Sequence, residues 1–283
     1  SLLRGENGIS HRQKVMNRYV SLTDKPPVDG CDIITTIDVD MQDIAEKALV
    51  DKLEELEAFV GVAAIMEVKT GEIKAIVNMT RGNDGKYYEM KNSAVSDLME
   101  PGSTFKTASM MLALDEGKAT LSTTVDCAPG IYPMYGRKMK DHNWNKGGYK
   151  VLTFSNILEY SSNIGVSRII DEAFKDDPQK FVDGLRRMGV GIPLNLPFVG
   201  KGEPLIPQPN SKKRYWSKSD LPWMSIGYVT QQPVISTLTF YNAIANNGKM
   251  VKPKIYKGET EIMDDSIASS ETIKAIQKAM RDN

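Results

Sequence analysis

Two cysteines and two histidines in 283 residues are too few for most of the chemistry those residue types carry. Cys31 and Cys127 cannot form a disulfide framework and stand at no metal-ligand spacing. A single bridge between them is open, and two free thiols are the expectation. His11 and His142 are likewise too few for a metal cluster or a convincing Ser/His/Asp triad, so a nucleophilic serine here needs a different base. No apolar run reaches the roughly 18–20 residues needed to cross a bilayer, and no signal peptide is recognisable. Charge of one sign is also missing: 36 basic and 36 acidic residues cancel to +0. No overall field therefore draws the chain to nucleic acid or to an anionic membrane. Internal repeats and low-complexity stretches are absent as well.

What remains is ordinary globular material, 41% hydrophobic and 25% charged, long enough for one large domain or two modest ones. The chain starts at Ser1 rather than methionine and is expected to be a piece of a longer protein. Residues 1–27 are polar, broken by Gly5–Gly8 and by Lys25-Pro26-Pro27, and predict a connecting segment with at most short strands. Cys31–Ile37 alternates like a strand. Asp38 is placed to cap a long amphipathic helix to about Ala58. Val60–Glu67 and Glu72–Asn78 read as a β-hairpin around Val68-Lys69-Thr70-Gly71. A short helix is expected over Asn92–Met99. Lys118–Lys150, rich in Gly, Pro, Asp and Asn, predicts an irregular excursion with short strands or turns. Helical periodicity covers Val151–Tyr160, Val166–Phe174 and Phe181–Met188, and Gly189–Lys218 reads as a long ordered loop. A buried helix over Ile235–Asn246, a strand over Met250–Tyr256 and a last helix over Ser269–Met280 complete the pattern. The whole predicts an α+β or α/β domain with helices covering a small sheet, although one strand pair is a meagre platform for so many helices.

Chemistry concentrates in Glu100-Pro101-Gly102-Ser103-Thr104-Phe105-Lys106-Thr107. Pro101 and Gly102 give a tight turn into an apolar helix, and residues three apart on a helix share a face, which would set Lys106 beside the Ser103 hydroxyl. Serine attacks only when a neighbour takes its proton, and lysine can do so only when burial or nearby positive charge lowers its pKa. The structural alternative is a helix cap followed by a solvated lysine. Ser103 is the only serine here with lysine three residues on. A second tripeptide, Ser161-Ser162-Asn163, contains the only serine followed two residues later by asparagine. Between two helices it could point a hydroxyl and a carboxamide into a cleft. By itself it would equally serve as a helix C-cap with asparagine in a left-handed turn.

Together, Ser103–Lys106 and Ser161–Asn163 resemble the penicillin-binding proteins, whose motif set is Ser-x-x-Lys, a second serine motif and Lys-Thr-Gly, shared with class A β-lactamases. The resemblance extends from about Val28 through Asp29–Leu49, Val60–Asn78 and Ser225–Gly248. It implies a serine transpeptidase or β-lactamase-like fold, with residues 1–27 as the end of a pedestal and 28–283 as the transpeptidase domain. The absence of a glycosyltransferase is similar to the class B, monofunctional type, and Ser-Ser-Asn is more like its division and sporulation branches than its elongation branch.

The resemblance also implies a mechanism. Ser103 would attack the carbonyl of a D-alanyl-D-alanine stem, Lys106 would take its proton, Ser161 would pass a proton to the leaving D-alanine, and Asn163 would bind Lys106 and the peptide amide. No cofactor or metal is implied. Implied partners are peptidoglycan stem peptides, β-lactam antibiotics and membrane proteins of cell division or elongation, a glycosyltransferase among them, but no nucleic acid. The implied location is the extracytoplasmic face of the bacterial membrane, with an anchor outside this chain. One departure stands out: no Lys-Thr-Gly or Lys-Ser-Gly follows Gly248, and Lys69-Thr70-Gly71 precedes the nucleophile in a hairpin turn. The expectation is a domain truncated before that strand, weak or inactive by itself. A non-catalytic β-lactam-sensing or scaffold domain and a serine β-lactamase are the competing readings.

Overall fold

The computed structural model describes residues 3–198, 200–212 and 214–281. The chain opens with an antiparallel hairpin of β1 (Ile9–Val15) and β2 (Arg18–Lys25), seven and eight residues long and exposed on both faces. The polar composition predicts only short strands here. The pairing lies in a register, Ser10 with Thr23 through Val15 with Arg18, that amphipathic alternation does not announce. Cys31–Ile37, read as a strand, is instead extended chain with one bridge, Thr35 to Tyr256. Its neighbour offers bonds only around Ile255–Lys257, so no ladder can grow.

Asp38 caps α1 (Val39–Glu55) as its sequence predicts, accepting the Met41 N–H at 3.0 Å. Helix α1 lays Ala45 and Leu53 on a sheet of β3 (Val60–Met66), β4 (Ile73–Arg81) and β5 (Tyr87–Tyr88), in the order β3-β4-β5. Lys69-Thr70-Gly71 forms the β3–β4 turn, with Gly71 at φ +72° and its carbonyl accepting from Lys254. A Cβ there would meet the Lys252 carbonyl at 2.5 Å, so the glycine serves a backbone approach. Helix α2 spans only Ser93–Ser96, because Met99 leaves it to pair with Gln232.

A 3₁₀ turn, Gly102–Phe105, leads into α3 (Lys106–Asp115). Every residue from Lys106 to Ala113 is buried, with Met110, Met111 and Leu112 fully so. Burial on every side places α3 inside the domain, where it is the axle of the larger core.

The predicted excursion pairs β6 (Thr124–Asp126) with β9 (Val151–Thr153) and β7 (Ile131–Met134) with β8 (Arg137–Lys140). The helix expected from Val151 therefore starts three residues late, as α4 (Phe154–Glu159), because Val151–Thr153 joins β6 and Thr153 caps the helix.

Around α3 stand α5 (Asn163–Phe174), α6 (Pro178–Arg187), α7 (Asp220–Ser225), α8 (Val234–Ala245) and α9 (Ser270–Arg281), contributing fully buried Ile164, Ile170, Phe181 and Leu185. The loop between α6 and α7 contains no helix or strand among its described residues, as its composition predicts. The strand expected over Met250–Tyr256 shrinks to β10 (Met250–Val251), paired with β11 (Ile262–Asp264).

Candidate active site

The Ser103 turn is held from two directions. Gly102 takes φ +55°, a conformation glycine adopts without steric cost, and its N–H donates to the Gly227 carbonyl at 3.0 Å. The carboxylate of Glu100 accepts the Val229 N–H at 2.9 Å, and Ser109 donates to the Ser225 carbonyl at 2.8 Å. From α8, the Tyr241 hydroxyl bonds the Thr104 carbonyl at 2.8 Å and the Thr107 hydroxyl at 2.9 Å. Ser103 itself is exposed, and its hydroxyl bonds no described residue.

Lys106 is only 2% exposed. Its ammonium donates to the Ser161 carbonyl at 2.6 Å and to the Ser161 hydroxyl at 2.9 Å. The helical spacing that sets it beside Ser103 thus carries its amine across to the α4–α5 turn, and the pair it makes by hydrogen bonding is with Ser161. Burial pushes Lys106 down from 10.5 to about 8, against the opposing pull of the Asp141 charge. At pH 7 roughly one amine in ten is then neutral and able to accept a proton.

Ser161 follows α4 with φ +52°. That is the left-handed position after a helix end, usually glycine, and a serine there costs on the order of 1 kcal/mol. The structural alternative for this tripeptide gives the left-handed conformation to asparagine. Here Ser161 takes it, and the bend turns its hydroxyl to Lys106. Ser162 caps α5, accepting the Gly165 N–H at 2.9 Å, and Asn163 is the first residue of that helix. The Asn163 carboxamide donates to the Lys140 carbonyl at 2.7 Å and makes no bond to Lys106. The structure thus joins Lys106 to Ser161 and leaves Ser103 and Asn163 beside them, each with other or no bonds.

Sequence patterning misses Gly227 and Glu100 as supports of the Ser103 turn, and Asp141, a buried carboxylate bonded to Ser162 and Ile164 behind the Ser161–Asn163 turn. Nothing in Asp141-His142 separates it from the other polar residues of its loop. A groove of about 540 Å³ lies elsewhere, between β6, β7 and the C-terminal half of α5, and contains none of the four predicted residues. Among the described residues no group of His, Cys, Asp or Glu could hold a metal.

If Lys106 is the base, reaction at Ser103 requires its neutral form. The rate of acylation is expected to rise with pH and level off above about 8, as read from the pH dependence of adduct formation with a penicillin. A rate already level from pH 6 upward would remove Lys106 from that role.

The model of the family described as "Penicillin binding protein transpeptidase domain" matches residues 61–283. The probable peptidoglycan D,D-transpeptidase PbpC of Pseudomonas aeruginosa is 31% identical over 259 residues, covering 88% of this chain and 44% of that protein. The peptidoglycan D,D-transpeptidase FtsI of Escherichia coli is 29% identical over 218 residues, covering 75% and 35% respectively. Among solved structures, the apo transpeptidase domain of penicillin-binding protein 3 from Burkholderia pseudomallei superposes with a TM-score of 0.73 at 25% identity, over 87% of this chain and 69% of that one. This chain thus spans less than half the length of these two curated relatives. On the matched domain, the superposed fold and a buried Lys106 bonded to Ser161 behind an exposed Ser103, the chain belongs to the penicillin-binding-protein transpeptidase family as a class B member.

Proposed function

We propose that this chain is the serine-acylating domain of a peptidoglycan D,D-transpeptidase of the division type. The single observation that carries the reading is the buried Lys106 amine, its pKa lowered to about 8, bonded to the Ser161 hydroxyl one helical turn from an exposed Ser103 hydroxyl that bonds no described residue. In the proposed step, Ser103 Oγ bonds to the carbonyl carbon of a D-alanyl-D-alanine stem, and Lys106 takes its proton. The C–N bond to the terminal D-alanine breaks, and that amine receives the proton by way of Ser161. An amine of a neighbouring stem then attacks the acyl-enzyme, frees Ser103 and forms the cross-link. β-Lactams enter the same first step because the ring amide stands where the scissile amide would. Asn163 serves the stem amide once its bond to Lys140 is exchanged.

The substrate class places the reaction in the cell wall, outside the cytoplasm, with divisome membrane proteins as the partners. Among the described residues no helix is long and apolar enough to cross a membrane.

A fluorescent penicillin tests the reading. A stoichiometric adduct on the peptide containing Ser103, lost entirely in Ser103→Ala, is the expected result. Rapid turnover of a chromogenic cephalosporin instead of a lasting adduct would favour a β-lactamase, and acylation at a residue other than Ser103 would overturn the site.

A further inference from the structure

Asp141 follows β8 and is only 1% exposed, an unusual place for a carboxylate unless something holds it there. Both of its oxygens accept from the Ser162 hydroxyl, at 2.9 and 3.1 Å, and one accepts the Ile164 N–H at 3.0 Å. Ile164 and Gly165 carry two of the N–H groups that a helix start leaves unpaired. Asp141 takes the first and Ser162 the second. On the other side of the same turn, Lys106 bonds the carbonyl and hydroxyl of Ser161. Anion and amine therefore grip adjacent residues, one from behind and one from the cleft.

We propose that Asp141 is a positioning residue for the acylating lysine: it fixes the Ser161–Asn163 turn from behind and supplies the buried countercharge to Lys106 across it. The inference rests on the transpeptidase reading for its consequence in rate, though not for the charge relation itself. The groups around Asp141 leave it in that position. Lys106 faces it from α3, Cys127 from the end of β6 and Tyr149 from the loop before β9. Burial, with the Asp141 charge as a lesser contribution, pushes the Cys127 thiol and the Tyr149 hydroxyl up, so neither is an anion at neutral pH. Arg168 and Asp126 act on Cys127 from farther along the cluster with opposite signs. Asp141 opposes burial at Lys106. Its charge stabilises the ammonium that forms when Lys106 takes the Ser103 proton, until that proton is passed on to the leaving group.

Asp141→Asn removes the charge and keeps an acceptor of the same shape. Following the Lys106 Cε signal by NMR against pH, the midpoint should fall from about 8 by about one unit or more, a tenfold weaker hold on the proton. The pH midpoint of penicillin acylation should move with it, while the plateau falls less than in Asp141→Ala, which also loses the cap. An unchanged Lys106 midpoint in a folded Asp141→Asn chain overturns the proposal and reduces Asp141 to a helix cap. Should that variant not fold, the unaltered chain decides. The Asp141 carboxyl signal is expected to shift with the same midpoint as Lys106, and a carboxyl that ignores the titration of Lys106 refutes the coupling. If penicillin acylates a residue other than Ser103, the transpeptidase reading fails, and the NMR titration still judges Asp141 separately.

Discussion

Replacing Lys106 by methionine is expected to slow acylation of Ser103 by about 10²–10⁴-fold, the range that a positioned general base contributes, without loss of the fold. Methionine is unbranched, of similar length, and adapts to irregular space, and the lysine stem already lies among buried residues of α3. What the substitution removes is an amine whose charge is poorly tolerated there. Its two Ser161 acceptors lose a donor, but Ser161 is only partly buried and water can replace it.

Stability should respond to pH in a way that identifies the group. Lys106 sits near 8 in the folded chain against 10.5 when exposed, so between those values the unfolded chain binds more protons. The stability of the unaltered chain therefore rises as pH climbs from about 8 to about 10.5 and gains nothing from Lys106 below 8. Lys106→Met should lose that rise and be at least as stable at pH 7. Denaturation midpoints at pH 7 and 10, with adduct rates at pH 8, check both halves. A methionine variant that reacts at an unaltered rate would end the case for Lys106 as base.

Gly227→Ala is expected to produce the other large effect, although residue 227 is more than a hundred positions from Ser103 in sequence. Gly227 has φ +88°, and a Cβ on it would lie 1.9 Å from the Gly102 carbonyl oxygen and 2.6 Å from the Gly102 nitrogen. Neither backbone can yield without shifting the turn that presents Ser103. Adverse dihedrals alone cost about 1–3 kcal/mol, and a displacement of about 1 Å at a reacting atom can cost roughly 10² in rate. A lowered melting temperature together with a hundredfold slower adduct formation is the expected outcome. Gly258→Ala, where a Cβ meets nothing within 4 Å, is the control. If Gly227→Ala acylates as fast as that control, the Ser225–Val229 segment does not set the position of Ser103.

Lys106 is legible in the chain as part of a short motif, whereas Gly227 is not. Ser103, Lys106, Ser161 and Asn163 are picked out by short spacings, and α1 with its Asp38 cap and the β3–β4 hairpin with its Gly71 turn follow from local patterns. Local rules succeed there because the deciding interactions lie within a turn of helix or across one tight turn. They fail at Val151–Thr153, where helical periodicity yields to pairing with Thr124–Asp126, and at Cys31–Ile37, where alternation finds almost no partner. In the hairpin of β1 and β2 the ladder alone organises residues that bury neither face.

By itself, then, the sequence determined the helix-rich α/β class, the Ser-x-x-Lys turn at the head of an apolar helix and the second serine motif, since those depend on neighbours along the chain. Only the tertiary structure decided that Lys106 bonds Ser161 rather than Ser103, that Asn163 is held by Lys140, that Gly227 braces the Ser103 turn and that Asp141 stands buried behind the Ser161–Asn163 turn. Each of those brings together residues from separate elements around α3. Burial and charge at a point in space, which shape the pKa of Lys106, have no representation in a one-dimensional spacing.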